Sequence, residues 1–204
     1  MNFLVTISRG IIENIHDGGN MRAFLAVKLS ENIINDIKKL QEELKKYTVK
    51  GRWTNENNLH ITLKFFGEIN EEQVSEIRKT IDDISVNFKS FYIRLNKIGC
   101  FKEKDNIRVL WMDVKNDNNL ILLHDAIETE LSKVGFKKDD RKFKAHITVA
   151  RDIILKKSIE EINNLYKLDS DYFAVSNIYL MESKLENNRR VYKSIFEVPL
   201  KTNK

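Results

Sequence analysis

A chain of 204 residues, 42% of them hydrophobic, can bury a substantial core, and its single cysteine, Cys100, excludes an internal disulfide and fits a reducing cytoplasm. No apolar run approaches the roughly eighteen residues that span a membrane. The net charge of +5 suits an anionic ligand without demanding one.

The opening segment is ambiguous. Asn2 to Ile7 reads as a strand and Ile11 to Ile15 as half a helix, before Asp17-Gly18-Gly19-Asn20 breaks the chain. Residues 1–20 are therefore either a translated leader, with Met21 as the natural start, or an N-terminal extension. Residues 21–204 form one domain. A first strand over 22–28 leads to Ser30, which can cap a helix over 31–47 with Ile33, Ile37, Leu40, Leu44 and Tyr47 on one face. Residues 50–54 read as a loop and 58–66 as a strand ending at Gly67. Asn70 and Gln73 have the spacing of a capping box for a helix over 71–87. Strands at 91–99 and 107–114 flank a polar hairpin loop at 102–106. A helix over 117–135 follows, with Leu120, Leu123, Ile127, Leu131 and Val134 on its apolar stripe. Then come a strand at 143–151, a short helix at 159–167, and strands at 172–182 and 190–198 around the turn Glu186-Asn187-Asn188-Arg189. Antiparallel strands with covering helices predict an α+β fold.

Two stretches carry the chemistry: Asn58-Leu59-His60-Ile61-Thr62-Leu63 and Lys144-Ala145-His146-Ile147-Thr148-Val149. Side chains two apart on a strand share a face, so each His-Thr pair should look into a cleft while its isoleucine enters a core. Histidine can take or give a proton near neutral pH, and a threonine hydroxyl can donate to a phosphate oxygen. Two histidines either side of a phosphodiester can thus divide acid and base work. The rival reading is a metal site, but there is no H-E-x-x-H, no H-x-H, and no carboxylate at ligand spacing from either histidine. His16 and His124 lack such a context and read as ordinary solvent or helix-face residues; Cys100 reads as a small buried hydrophobe. Strand parity puts Lys64 beside His60 and Thr62, and Lys144 beside His146 and Thr148, as phosphate ligands or solvated strand ends. Phe24 and Trp53 are core residues that also offer base-stacking faces.

These residues resemble the 2H phosphoesterases, and within them the RNA 2′,3′-cyclic phosphodiesterases, also called 2′-5′ RNA ligases. The resemblance rests on Met21-Arg22-Ala23-Phe24-Leu25-Ala26-Val27, on Trp53 and the run from Asn58 to Gly67, and on Ala145-His146-Ile147-Thr148-Val149-Ala150-Arg151. Weaker echoes are Ser183, Leu185, Tyr192 and Val198-Pro199-Leu200. It implies a bilobal fold: two pseudo-symmetric lobes of antiparallel sheet, helices outside, and a central groove holding the active site. It implies opening of a terminal 2′,3′-cyclic phosphate to a 2′-phosphate without metal or other cofactor. His60 and His146 would be the acid–base pair, with His146 as base and His60 as acid; Thr62, Thr148 and Arg151 would hold the phosphate. Arg151 stands five residues from His146, which places it on the opposite strand face unless the strand ends or bulges. The implied partners are RNA 3′ ends bearing a 2′,3′-cyclic phosphate, including tRNA fragments or nucleotides, acted on by a monomer away from any membrane. Lys142-Phe143-Lys144-Ala145 and Asn187-Asn188-Arg189 depart from the family's proline- and glycine-containing patterns. The alternatives are a module that binds nucleotides or RNA ends without turnover, and a 2′-5′ RNA ligase or 2′-5′ phosphodiesterase.

Overall fold

The computed structural model describes residues 19–104, 106–115, 118–166 and 170–202. The leader-or-extension question and His16 lie outside the described residues. In chain order the elements are β1 (Met21–Lys28), α1 (Glu31–Lys45), β2 (Thr48–Trp53), β3 (His60–Ile69), α2 (Glu71–Ser85), β4 (Phe91–Glu103), β5 (Asn106–Lys115), α3 (Asn118–Lys133), β6 (His146–Leu155), α4 (Ile159–Leu165), β7 (Phe173–Val175), β8 (Asn177–Glu186) and β9 (Arg189–Pro199). Among the described residues no helix is long and apolar enough to cross a membrane.

The nine strands of the described residues belong to one curled antiparallel sheet in the order β7-β4-β5-β6-β3-β1-β8-β9, with β2 also paired to β6. β6 meets β3 through a single ladder pair, Ile61 with Ile147, and then takes β2 as its neighbour from Ala150 to Leu155. The sheet therefore has two parts hinged at one residue pair. Helices α2 and α3 cover the part built on β3, β1, β8 and β9; α1 and α4 cover the part built on β2, β6, β5 and β4. Each part contributes one His-Thr strand, but the parts are not the two halves of the chain. β1 sits between β3 and β8, so the first and last strands share one part.

Helix positions follow from patterning. α1 buries Ile33, Ile37, Leu40 and Leu44, α2 buries Ile77, Ile81 and Ile84, and α3 buries Leu120, Leu123, Ile127 and Leu131. These join the inward sheet residues in one apolar core on the helix side. The expected capping box of α2 is present in both directions, between Asn70 and Gln73, and Ser158 with Glu161 makes another on α4. A second, small apolar cluster of Phe24, Ala26 and Met181 lies on the helix-free face, with Tyr179 and Tyr192 against it.

The loop expected at 50–54 is largely strand: β2 runs through Trp53. Gly51 hides that strand in the sequence. A Cβ there would stand 2.8 Å from Ile153 Cγ1, so glycine serves close approach here rather than a turn. The hairpin loop expected at 102–106 is also shorter, because β4 extends to Glu103 and β5 starts at Asn106.

Candidate active site

The Ile61–Ile147 pair sets the geometry. In an antiparallel ladder, that register sets His60 across from Thr148 and His146 across from Thr62. Both isoleucines are fully buried in the helix-side core, while the two histidines and two threonines are half-buried on the other face. Four polar groups thus form a diagonal quartet around a local two-fold relation.

The imidazoles are held alike at Nδ1. His60 Nδ1–H donates to the Asn58 carbonyl at 2.7 Å, and His146 Nδ1–H donates to the Lys144 carbonyl at 2.8 Å. A carbonyl only accepts, so each ring carries its proton on Nδ1 and presents an Nε2 lone pair. At His60 that lone pair accepts from the Thr62 hydroxyl at 3.0 Å. At His146 no described residue hydrogen-bonds Nε2. Aromatic rings fix both imidazoles from the sides. Phe24 lies 4.8 Å and Tyr192 5.2 Å from the His60 ring; Phe101 lies 5.2 Å and Trp111 6.2 Å from the His146 ring.

Burial lowers the His60 pKa to about 4, and the charges of His146 and Arg151 act in the same direction against the Asn58 hydrogen bond. Burial lowers His146 too; its Lys144 carbonyl bond opposes this, Arg151 and Lys144 add to it, and Asp113 opposes it. Both rings are therefore neutral at pH 7 in the free protein.

Arg151 affects both histidines because β6 bulges. The ladder with β5 pairs Leu110 with Ala150 and then Trp111 with Thr148, skipping Val149. Val149 and Ala150 are consecutively buried, and the parity flips, so Arg151 returns to the His146 face. It makes no hydrogen bond or ion pair with any described residue. β3 repeats the device: Leu63 is skipped opposite β1, and Leu63 and Lys64 are both buried. Phe65, 65% exposed, is thus the β3 counterpart of Arg151 and packs 5.7 Å from Phe24.

The same bulge overturns the reading of Lys64. Its ammonium turns into the helix side, where it bonds both Glu128 oxygens at 2.8 Å and the Lys137 carbonyl at 2.8 Å. It is neither a phosphate ligand nor a solvated strand end. Lys144 stays on the expected face but is engaged, 3.0 Å from Asp113 and over the Trp111 ring. Trp53 packs against the main core, whereas Phe24 is buried and touches His60. His124 is a buried helix-face residue stacked on Phe143 at 4.0 Å, and Cys100 is half-buried against the core.

The family model for LigT-like phosphoesterases matches residues 27–111 and 113–192. The chain belongs to the LigT-like phosphoesterases. It is 36% identical to the RNA 2′,3′-cyclic phosphodiesterase of Methanocaldococcus jannaschii over 87% of this chain and 99% of that protein. It is 30% identical to the enzyme of the same name from Thermotoga maritima, over 87% and 94% of the two chains. Among solved structures, E. coli LigT in apo form aligns with a TM-score of 0.74 at 22% identity, covering 90% of this chain and 99% of that one, which shows a shared fold.

Several residues of this candidate site escape a reading of the motifs. Phe65, Phe101, Trp111 and Asp113 reach it through bulges and cross-strand neighbours that period-two parity does not reveal. Gln41 did leave a signal, as a polar residue inside the apolar stripe of α1. Buried there, it donates from Nε2 to the Val149 carbonyl at 3.0 Å and to the Thr54 carbonyl at 2.9 Å, bracing the β6 bulge.

Proposed function

We propose that this protein hydrolyses terminal 2′,3′-cyclic phosphates of RNA to 2′-phosphates by two-histidine acid–base catalysis in a groove on the helix-free face. The observation that carries this reading is the diagonal quartet of His60, Thr62, His146 and Thr148 about the Ile61–Ile147 pair. The M. jannaschii and T. maritima relatives, named as RNA 2′,3′-cyclic phosphodiesterases, supply the substrate class.

His146 is the base, because its Nε2 lone pair is uncommitted. It takes a proton from water as the water oxygen bonds to phosphorus. The bond from phosphorus to the 3′ oxygen breaks, and protonated His60 gives its Nε2 proton to that oxygen, leaving the phosphate on the 2′ oxygen. Solvent exchange then restores both rings. His60 must be charged before this step. A bound phosphate anion offsets the repulsion of Arg151, so substrate itself raises the His60 pKa. Thr62, Thr148 and Arg151 hold the nonbridging oxygens as charge builds. The mechanism draws on no metal or cofactor.

The test is turnover of a nucleoside 2′,3′-cyclic phosphate, in EDTA, by wild type, His60→Ala and His146→Ala. Each substitution should lower kcat by about 10²–10⁴. Tight nucleotide binding by wild type without turnover would instead establish a binding module. Dependence on an added divalent ion would remove the metal-free mechanism.

A further inference from the structure

Beyond Arg151, β6 carries a carboxylate that gathers two arginines from its neighbouring strands. Asp152 adopts φ 49°, a left-handed conformation, and its carboxylate makes no ion pair with the neighbouring Arg151. The carboxylate is taken instead by two arginines from the flanking strands. Arg52 on β2 bonds Asp152 Oδ2, and Arg108 on β5 bonds Oδ1 at 2.6 Å. Arg108 also lies 3.6 Å from Glu103.

Register fixes the face. Arg52 is the ladder partner of Arg151, while its neighbours Gly51 and Trp53 meet Ile153 and the helix-side core. Arg52 therefore points to the face of the histidines. Arg108 is skipped in the ladder between β4 and β5, a bulge beside Val109, which is itself the partner of Arg151. One carboxylate thus orients two guanidinium groups whose side chains remain 73% and 61% exposed. Each gives one N–H to Asp152 and keeps others for a ligand, and orientation reduces the entropy lost when a phosphate is gripped. The same arrangement keeps Asp152 from neutralising Arg151.

Asp152 stands six residues along β6 from His146. At about 3.3 Å per strand residue, less one residue taken up by the bulge, the separation is on the order of 15–20 Å. That is too far to share the phosphate between the histidines and suits another phosphate of the same strand.

We propose that the Arg52–Asp152–Arg108 cluster is a second anion subsite, which takes a backbone phosphate upstream of the RNA 3′ end. The proposal rests on the RNA-end reading above and makes the polynucleotide, rather than a free nucleotide, the ligand the protein is built for. Phosphate contacts of this kind add affinity and register without base preference.

The experiment compares cytidine 2′,3′-cyclic phosphate with a five-nucleotide RNA ending in the same group, using wild type, the Arg52→Ala/Arg108→Ala double variant and the Arg52→Lys/Arg108→Lys double variant. The alanine pair should raise KM for the RNA about tenfold or more and leave both constants for the mononucleotide within twofold. The lysine pair, which retains charge without the fork, should recover part of the loss. The salt dependence of RNA affinity should flatten in the alanine pair, by about 0.7 in log–log slope for each phosphate that the variant no longer neutralises. Equal losses on both substrates would mean that the cluster only staples β2 and β5 to β6, and unchanged KM for the RNA would mean a solvated surface; either overturns the proposal. Should wild type turn over neither substrate, the catalytic reading fails by itself. Equilibrium binding of the same RNA ending in a 3′-phosphate then decides the subsite: weaker binding by the alanine pair supports it, and equal binding overturns it.

Discussion

His60 and His146 are the same chemical group placed in unequal surroundings. His60 is wedged between Phe24 and Tyr192 with its Nε2 lone pair bonded to Thr62, whereas His146 leaves Nε2 open. Both pKa values fall below the ordinary 6.5, that of His60 to about 4. kcat/KM reports ionisations of the free enzyme, where the base must be neutral and the acid protonated. Both limbs of its pH profile should therefore lie below pH 6.5, with the maximum on the acidic side. kcat reports the complex, in which bound phosphate favours imidazolium, so its limbs should move to higher pH. A kcat/KM maximum above pH 7.5 would contradict this assignment. Arg151, with no carboxylate partner among the described residues, should act mainly on ground-state and transition-state phosphate alike. Arg151→Ala should raise KM by about tenfold or more, on the scale of one charge-assisted hydrogen bond.

At the scale of elements, the bulges in β3 and β6 decide which neighbours of the motifs reach the site. A period-two reading places His60, Thr62, His146 and Thr148 on one face, with Ile61 and Ile147 on the other, and burial agrees. It fails one step later. Leu63-Lys64 and Val149-Ala150 each put two consecutive residues on the buried side, and nothing in their side chains announces a bulge. Lys64 was therefore legible as a lysine near the motif but not as half of an ion pair whose side chains are 4% and 7% exposed. That pair ties β3 to α3, and Glu128 also accepts from the Asp139 amide at 3.1 Å, fixing the connection that leads to β6. Removing one charge strands the other, so Lys64→Met should cost about 3–5 kcal/mol in urea unfolding. Lys64→Met with Glu128→Leu should recover much of it. Gly99 is a similar case, since a Cβ there would lie 2.1 Å from Trp111 Cη2. Gly99→Ala should displace the indole that flanks His146 and lower kcat/KM with little effect on far-ultraviolet circular dichroism.

Across the whole molecule, sequence patterning conveys the α+β class, the helices and the pairing of two equivalent strands. The interleaving of the two sheet parts was not legible, because the placement of β1 between β3 and β8 is a long-range pairing that local patterns do not encode. The consequence is mechanical: the two His-Thr strands belong to different sheet parts, and a single ladder pair holds them in register. Burying His60 at that junction also links folding to pH. Its folded pKa of about 4 lies below the unfolded value near 6.5, so the unfolded chain binds more protons between those values. The stability contributed by the neutral ring is present above pH 6.5 and is lost as pH falls toward 4. His60→Gln should show a shallower loss of stability than wild type over that window in denaturant titrations.

The most direct measurement is the identity of the product. Cytidine 2′,3′-cyclic phosphate is incubated with wild type and with His60→Ala, and the phosphorus nuclear magnetic resonance spectrum is followed to completion. We expect cytidine 2′-phosphate alone from wild type, with its formation slowed by about 10²–10⁴ in the variant, because the proposed mechanism has His60 protonate the departing 3′ oxygen. Accumulation of the 3′-phosphate, or equal rates for the two proteins, would contradict the two-histidine account.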